Sequence, residues 1–161
     1  MKYQPALRRA FLFLQGPHGP FFSLLAERLE REGHRVFRIN FNGGDRADWR
    51  GPALDYRGSA DDWPRFFDNF VVENRVTDLV LFGDCRPLHR AAHGMAKFRK
   101  LRIHVVEEGY IRPDWMTLEI DGVNGNSTLS RDPKWYLAEA RELPPLPSYP
   151  PVPSSFERRA R

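Results

Sequence analysis

Three short apolar runs constrain this chain most: residues 10–14, 79–82 and, interrupted only by His104, 103–106. Strands that are covered on both faces read this way, whereas half-solvated strands alternate. Amphipathic stretches lie between the runs. Phe21, Leu24, Leu25 and Leu29 recur at helical spacing after Pro20, with Glu27, Arg28, Glu30 and Arg31 opposite and Gly33 placed to end the helix. Residues 35–41 alternate as a second strand. Phe66, Phe67 and Phe70 mark a helix running to about Asn74, with Asp61 or Asp62 as its cap. Leu88, Ala91, Ala92, Met95 and Phe98 mark another, opened by Pro87 and closed by Arg99, Lys100 and Arg102.

Alternation of strand and helix predicts a doubly wound, mostly parallel, Rossmann-like α/β sheet. Right-handed crossovers then bring every strand-to-helix loop to one edge. Those loops are residues 15–20, 42–62, 83–87 and 107–113. After Pro113 the pattern weakens. Residues 116–120 suit a short strand and residues 132–141 a short helix. Residues 1–142 read as the folded domain and 143–161 as a proline-rich linker, with six prolines between positions 144 and 153. A linker in that place predicts that the chain is the N-terminal half of a longer protein.

Composition narrows the function classes. A length of 161 residues, 41% hydrophobic and 29% charged, fits one soluble domain with a core of its own. The net charge of +4 is mild, and basic residues are interspersed with acids. No basic stripe interleaved with aromatics is visible, so nucleic acid is not an expected partner. The single cysteine, Cys85, excludes an internal disulfide and a cysteine-rich zinc site. No apolar run has the length of a membrane span or signal core, which gives a cytoplasmic expectation with peripheral membrane contact left open.

Candidate chemistry clusters at the strand ends. The run 103–106 stops at Glu107-Glu108-Gly109-Tyr110-Ile111-Arg112-Pro113. Carboxylates at the carboxyl edge of an open α/β sheet stand where ligands bind. Two carboxylates with Arg112 suit glycosyl chemistry, in which one acid moves a proton and another stabilises positive charge. A solvated, helix-capping pair is the structural alternative. Gly83-Asp84-Cys85-Arg86-Pro87 with His89 gathers an acid, a cation and a base, although Asp84 could equally cap the next helix or pair with Arg86. Cys85 has no partner pattern for nucleophilic catalysis. The loop Gln15-Gly16-Pro17-His18-Gly19-Pro20 stands where dinucleotide folds bind phosphate, but it is neither GxGxxG nor a P-loop, and its prolines remove N–H donors.

Together these blocks resemble the capsular polysaccharide biosynthesis and export family, of the KpsS type. The resemblance is carried by residues 13–17 with Phe21-Phe22, by Arg38-Ile39-Asn40-Phe41-Asn42 with Gly44-Asp45, by residues 81–87 with His89, and by residues 107–113 followed by Thr117-Leu118-Glu119 and Gly122-Val123-Asn124-Gly125. It implies the N-terminal domain of a two-domain GT-B glycosyltransferase. Such a retaining enzyme would move Kdo from CMP-Kdo to a phosphatidylglycerol-type lipid at the inner face of the bacterial inner membrane. It would need no metal or other cofactor, and other capsule-assembly proteins are possible partners. The catalytic candidates are Glu107, Glu108 and Asp84. Gln15, Gly16, His18, Asn42, Asp45, Arg86, His89, Tyr110 and Arg112 are the candidate substrate contacts. Family proteins are longer than this chain, so the resemblance places activity in a longer form. The competing expectation is a non-catalytic Rossmann-like module that binds an anionic glycan, lipid or protein.

Overall fold

The computed structural model describes residues 8–109 and 115–145. Six strands form one sheet in the order β3-β2-β1-β4-β5-β6. These are β1 (Ala10–Phe13), β2 (Arg35–Asn40), β3 (Leu54–Asp55), β4 (Asp78–Phe82), β5 (Arg102–Glu108) and β6 (Met116–Ile120). The first five pair in parallel, and β6 adds antiparallel to β5. Among the described residues five α-helices accompany them: α1 (Phe21–Arg31), α2 (Gly43–Ala47), α3 (Trp63–Asn74), α4 (Pro87–Phe98) and α5 (Pro133–Glu142). The doubly wound, mostly parallel Rossmann-like sheet is therefore observed.

The apolar runs lack the alternation of half-solvated strands because both faces of β1, β4 and β5 are largely covered. One cluster joins Leu12, Leu79, Leu81, Ile103 and Val105 to Trp63, Phe67 and Val71 of α3 and to Ala92 and Ala96 of α4. The other joins Phe11, Phe13, Val80, Phe82 and Val106 to Phe22 and Ala26 of α1. Trp63 is fully buried, and its indole Nε1 donates to the carbonyl of Leu88 at 2.8 Å, which ties α3 to the start of α4. Phe41, Tyr56 and Phe66 pack edge-on or stacked around it at 4.9–5.9 Å. Burying a side chain of this size contributes on the order of 2–3 kcal/mol.

Two expectations need correction. The stretch 42–62 is not one long loop. The Asn42 side chain accepts from the Asp45 N–H and starts α2, and Leu54–Asp55 then pairs with Ile39–Asn40 as an edge strand. A two-residue strand and a five-residue helix leave no periodicity to read. The loop after the fourth long strand also begins later than its acids suggest. Glu107 and Glu108 lie within β5, opposite Thr117 and Met116 of β6. The partner strand, not residue type, sets where β5 ends. Gly109 closes this ladder: its N–H donates to the Trp115 carbonyl at 2.7 Å, and a Cβ there would stand 2.6 Å from that oxygen.

Among the described residues no helix is long and apolar enough to cross a membrane.

Candidate active site at the carboxyl edge

The strand order reverses between β1 and β4, so the crevice outside their carboxyl ends is the expected ligand position of the fold. The segments after β1, β2 and β4 lie along that edge, together with the last residues of β5. Each supplies polar groups, though in different states of engagement.

The β5 carboxylates divide between the two faces of the sheet. Ile103 and Val105 face α3 and α4, while Val106 faces α1. Strand alternation therefore directs Glu107 to the α4 side and Glu108 to the α1 side. They cannot act as an adjacent pair on one substrate face. Glu107 leans back over the end of β4. Its Oε1 accepts the Glu108 N–H at 3.1 Å, and its Oε2 lies 3.3 Å from where a Cβ of Gly83 would stand. Gly83 has φ +69°, a left-handed conformation that also disfavours a side chain. The turn from β4 to α4 is thus shaped to leave room for the Glu107 carboxylate.

Asp84 follows Gly83 and is 7% exposed. It does not cap α4, whose N-cap is Arg86 with no side-chain bond, and no ion pair links it to Arg86. Instead, its Oδ2 accepts the Val123 N–H at 3.2 Å and the Asn126 amide at 3.1 Å, while its Oδ1 accepts from Cys85 Sγ at 3.2 Å. Burial alone would raise its pKa. The hydrogen bonds outweigh burial and hold the carboxyl below its ordinary range. The same contact raises the Cys85 thiol, chiefly through the hydrogen bond to Asp84. A protonated thiol is a poor nucleophile, which agrees with the missing partner pattern.

His89, in the first turn of α4, is 1% exposed. Its Nδ1 lies 2.8 Å from the Gly83 carbonyl oxygen, so the proton belongs on Nδ1. Nε2 is buried without a hydrogen-bond partner. Burial is the main cause that lowers its pKa to about 4, with Arg86 and Arg38 adding to the effect. His89 is therefore a neutral brace for the β4–α4 turn and carries no positive charge at pH 7. Arg86 is exposed, its guanidinium 5.5 Å from the Phe82 ring centroid.

The loop after β1 is held by the segment after α2. The Gly19 N–H donates to Asp48 Oδ1 at 3.0 Å, and Ser23 Oγ donates to the Asp48 carbonyl at 2.8 Å. His18 is fully exposed, with Nδ1 3.6 Å from Asp48 Oδ2. Gln15 and Gly16 are half-buried at the mouth of the crevice. Asn42 is occupied as the cap of α2, and the buried Asp45 accepts the Phe41 N–H at 2.8 Å. Tyr110 and Arg112 lie outside the described residues.

Arg38 and Asn40 belong to the same edge but were not singled out as site residues. Arg38 is 3% exposed. Its guanidinium donates to Asn40 Oδ1 at 2.8 Å and to the Leu14 carbonyl, stands 3.6 Å from Asp45 Oδ1, and lies over the Trp49 ring. Burial lowers its pKa despite Asp45 and Asp48. The available signal was two polar residues on alternate positions of a strand inside a parallel sheet. Among the described residues, no group of three or more His, Cys, Asp or Glu side chains is arranged to hold a metal.

The comparisons with known proteins agree with this architecture. The family model described as "Capsule polysaccharide biosynthesis protein" matches residues 77–160, which include β4, α4, β5 and β6. The chain is 41% identical over 141 residues to the capsule polysaccharide export protein KpsS of Escherichia coli, covering 87% of this chain and 35% of that protein. It is 36% identical over 137 residues to the capsule polysaccharide modification protein LipB of Neisseria meningitidis, covering 82% of this chain and 32% of LipB. The chain thus spans about a third of the length of these relatives. Among solved structures, a protein assigned as a UDP-N-acetylglucosamine 2-epimerase from Listeria monocytogenes superposes with a TM-score of 0.50 at 14% identity, over 65% of this chain and 31% of that one. That likeness concerns the fold alone. The chain belongs to the capsule polysaccharide biosynthesis protein family.

Proposed function

We propose that this chain is one domain of a glycosyltransferase that builds the Kdo linker of a bacterial capsule, with CMP-Kdo as donor and a phosphatidylglycerol-type lipid as acceptor. Capsule biosynthesis follows from the family. The transferase reaction, its substrates, a place at the inner face of the inner membrane and independence from metals are the proposal. The observation that carries it is the Glu107 carboxylate leaning over Gly83 at the carboxyl edge, beside the start of α4 and next to the anionic Asp84.

In this reading Glu107 is the carboxylate that serves the sugar transfer, and Glu108, on the opposite face, is not. Asp84 and His89 position the β4–α4 turn. Arg86, exposed at the start of α4, meets an anionic group of the substrate, with the positive end of the helix dipole behind it. The remainder of the longer protein supplies the other wall of the cleft.

The test uses a full-length transferase carrying this chain. Glu107→Gln is expected to slow CMP release by roughly 10²–10⁴-fold, the range for a lost acid or base. Glu108→Gln is expected to leave it within a few-fold. Full activity in both variants would remove the carboxylate assignment and favour the non-catalytic binding module.

A further inference from the structure

A trough of about 580 Å³ runs along the outer face of α4, opposite the turn that follows β6. Arg90, His93, Gly94 and Lys97 occupy positions i, i+3, i+4 and i+7 of the helix, so they form one stripe. Asp121, Asn126 and Thr128 form the facing wall, and Asp84 and Cys85 stand at the head of the trough. His93 Nε2 lies 2.6 Å from the Asp121 carbonyl oxygen, which joins the two walls. The volume falls in the range of small-molecule sites, roughly 300–1,000 Å³.

Three features give the trough a chemical character. First, the side chains of Arg90 and Lys97 make no ion pair with another described residue, although both line the cavity. Two helical turns separate them, about 10 Å along the axis. Second, the facing wall mixes an amide and a hydroxyl with the Asp121 carboxylate, and the Asp84 carboxylate stands at the head of the trough. A bare polyanion is repelled by those acids, whereas sugar hydroxyls donate to them. Third, Gly94 sits in the middle of a twelve-residue helix, where glycine is less stable than alanine. A Cβ at Gly94 would meet nothing within 4 Å. No packing inside the protein requires the bare backbone, and a long side chain at this position would project into the trough.

The geometry points to a binding site for an acidic saccharide segment. Its carboxylates would lie on Arg90 and Lys97, and its hydroxyls on Asn126, Thr128 and Asp121. The two helix positions that carry the cations are farther apart than one sugar ring is wide, which matches an oligosaccharide better than a monosaccharide. The choice of a saccharide over other anions rests on the capsule reading above; the cavity and its cations do not.

The test is a titration of the full 161-residue chain with trigalacturonate, followed by amide NMR and calorimetry, with maltotriose and tripolyphosphate as comparisons. Saturable binding of trigalacturonate is expected, roughly ten-fold tighter than either comparison, because each charge-assisted contact carries about that factor. Arg90→Ala and Lys97→Ala should each weaken it by roughly ten-fold. Gly94→Leu should remove it, and Gly94→Ala, which only adds helix propensity, should raise the melting temperature. No saturable binding, or binding indifferent to Arg90→Ala, Lys97→Ala and Gly94→Leu, overturns the inference. Tripolyphosphate binding tighter than trigalacturonate overturns the saccharide assignment. Glu107→Gln, which the transferase reading requires for CMP release, should leave trigalacturonate binding unchanged. Lost trough binding with CMP release intact therefore counts against this inference alone, and the converse counts against the transferase reading alone.

Discussion

Lowering the pH from 7 to 5 should destabilise this fold through His89, by an amount the structure sets. In the unfolded chain the imidazole titrates near 6.5, whereas in the fold it titrates at about 4. The depressed folded value means that the unfolded state binds the proton first. The stability in question is complete above pH 6.5, is lost as the pH falls toward about 4, and stays level below that. At pH 5 a free imidazole is almost wholly protonated while His89 is still mostly neutral, so linkage removes about 2 kcal/mol between pH 7 and 5. For a domain of this size that is a fall of roughly 4–8 °C in Tm. His104 acts in the same direction. It is also lowered to about 4, by burial and then by Arg9 and Arg102, which outweigh its 2.8 Å contact with an Asp78 already paired to Arg9. The His89 share is isolated by comparing wild type with His89→Phe in urea melts at both pH values. The variant starts less stable, because the Gly83 carbonyl loses its donor, but its pH 7-to-5 loss should be smaller by about 2 kcal/mol. An equal loss in both proteins would refute the assignment of a buried, neutral His89.

Other consequences follow from the same contacts. Gly83→Ala should destabilise the domain by about 1–2 kcal/mol in chemical denaturation, because it strains a left-handed turn and crowds Glu107. In the full-length transferase it should lower CMP release more than it lowers stability at the assay temperature. Asp84→Asn keeps the shape but removes the charge that Val123 and Asn126 hydrogen-bond. It should cost about 1–3 kcal/mol in urea melts and should flatten the stability loss below pH 4. Trp63→Ala should cost about 3–5 kcal/mol by cavity formation and by loss of the bond to the Leu88 carbonyl.

What was legible in the sequence was what depends on covered faces. The runs 10–14, 79–82 and 103–106 announced a sheet with helices on both sides, and the four long strands and three long helices lie where the spacing put them. Residues 116–120 and the helix near Asp132 were also readable, since Asp132 accepts the Lys134 N–H as a helix cap. What escaped depends on partners distant in sequence. β5 extends through Glu108 because β6 pairs with it, and β3 exists because Asn40 and Asp55 meet across the sheet edge. The candidate site divides in the same way. The residues that crowd the carboxyl edge were named from the strand ends. Their roles were not readable, because Asp84 is claimed by residues about forty positions downstream and Glu107 is separated from Glu108 by the pleat. Arg38 escaped because its partners come from two separate elements, the Leu14 carbonyl just after β1 and Asp45 in α2.

CMP release from CMP-Kdo tests the central claim most directly, in a full-length transferase carrying this chain, with donor and lipid acceptor supplied separately and together. The account predicts release only when both are present, and its loss in Glu107→Gln but not in Glu108→Gln. Ligand binding with no CMP release under any of these conditions would contradict the account and leave a non-catalytic member of the capsule polysaccharide biosynthesis family.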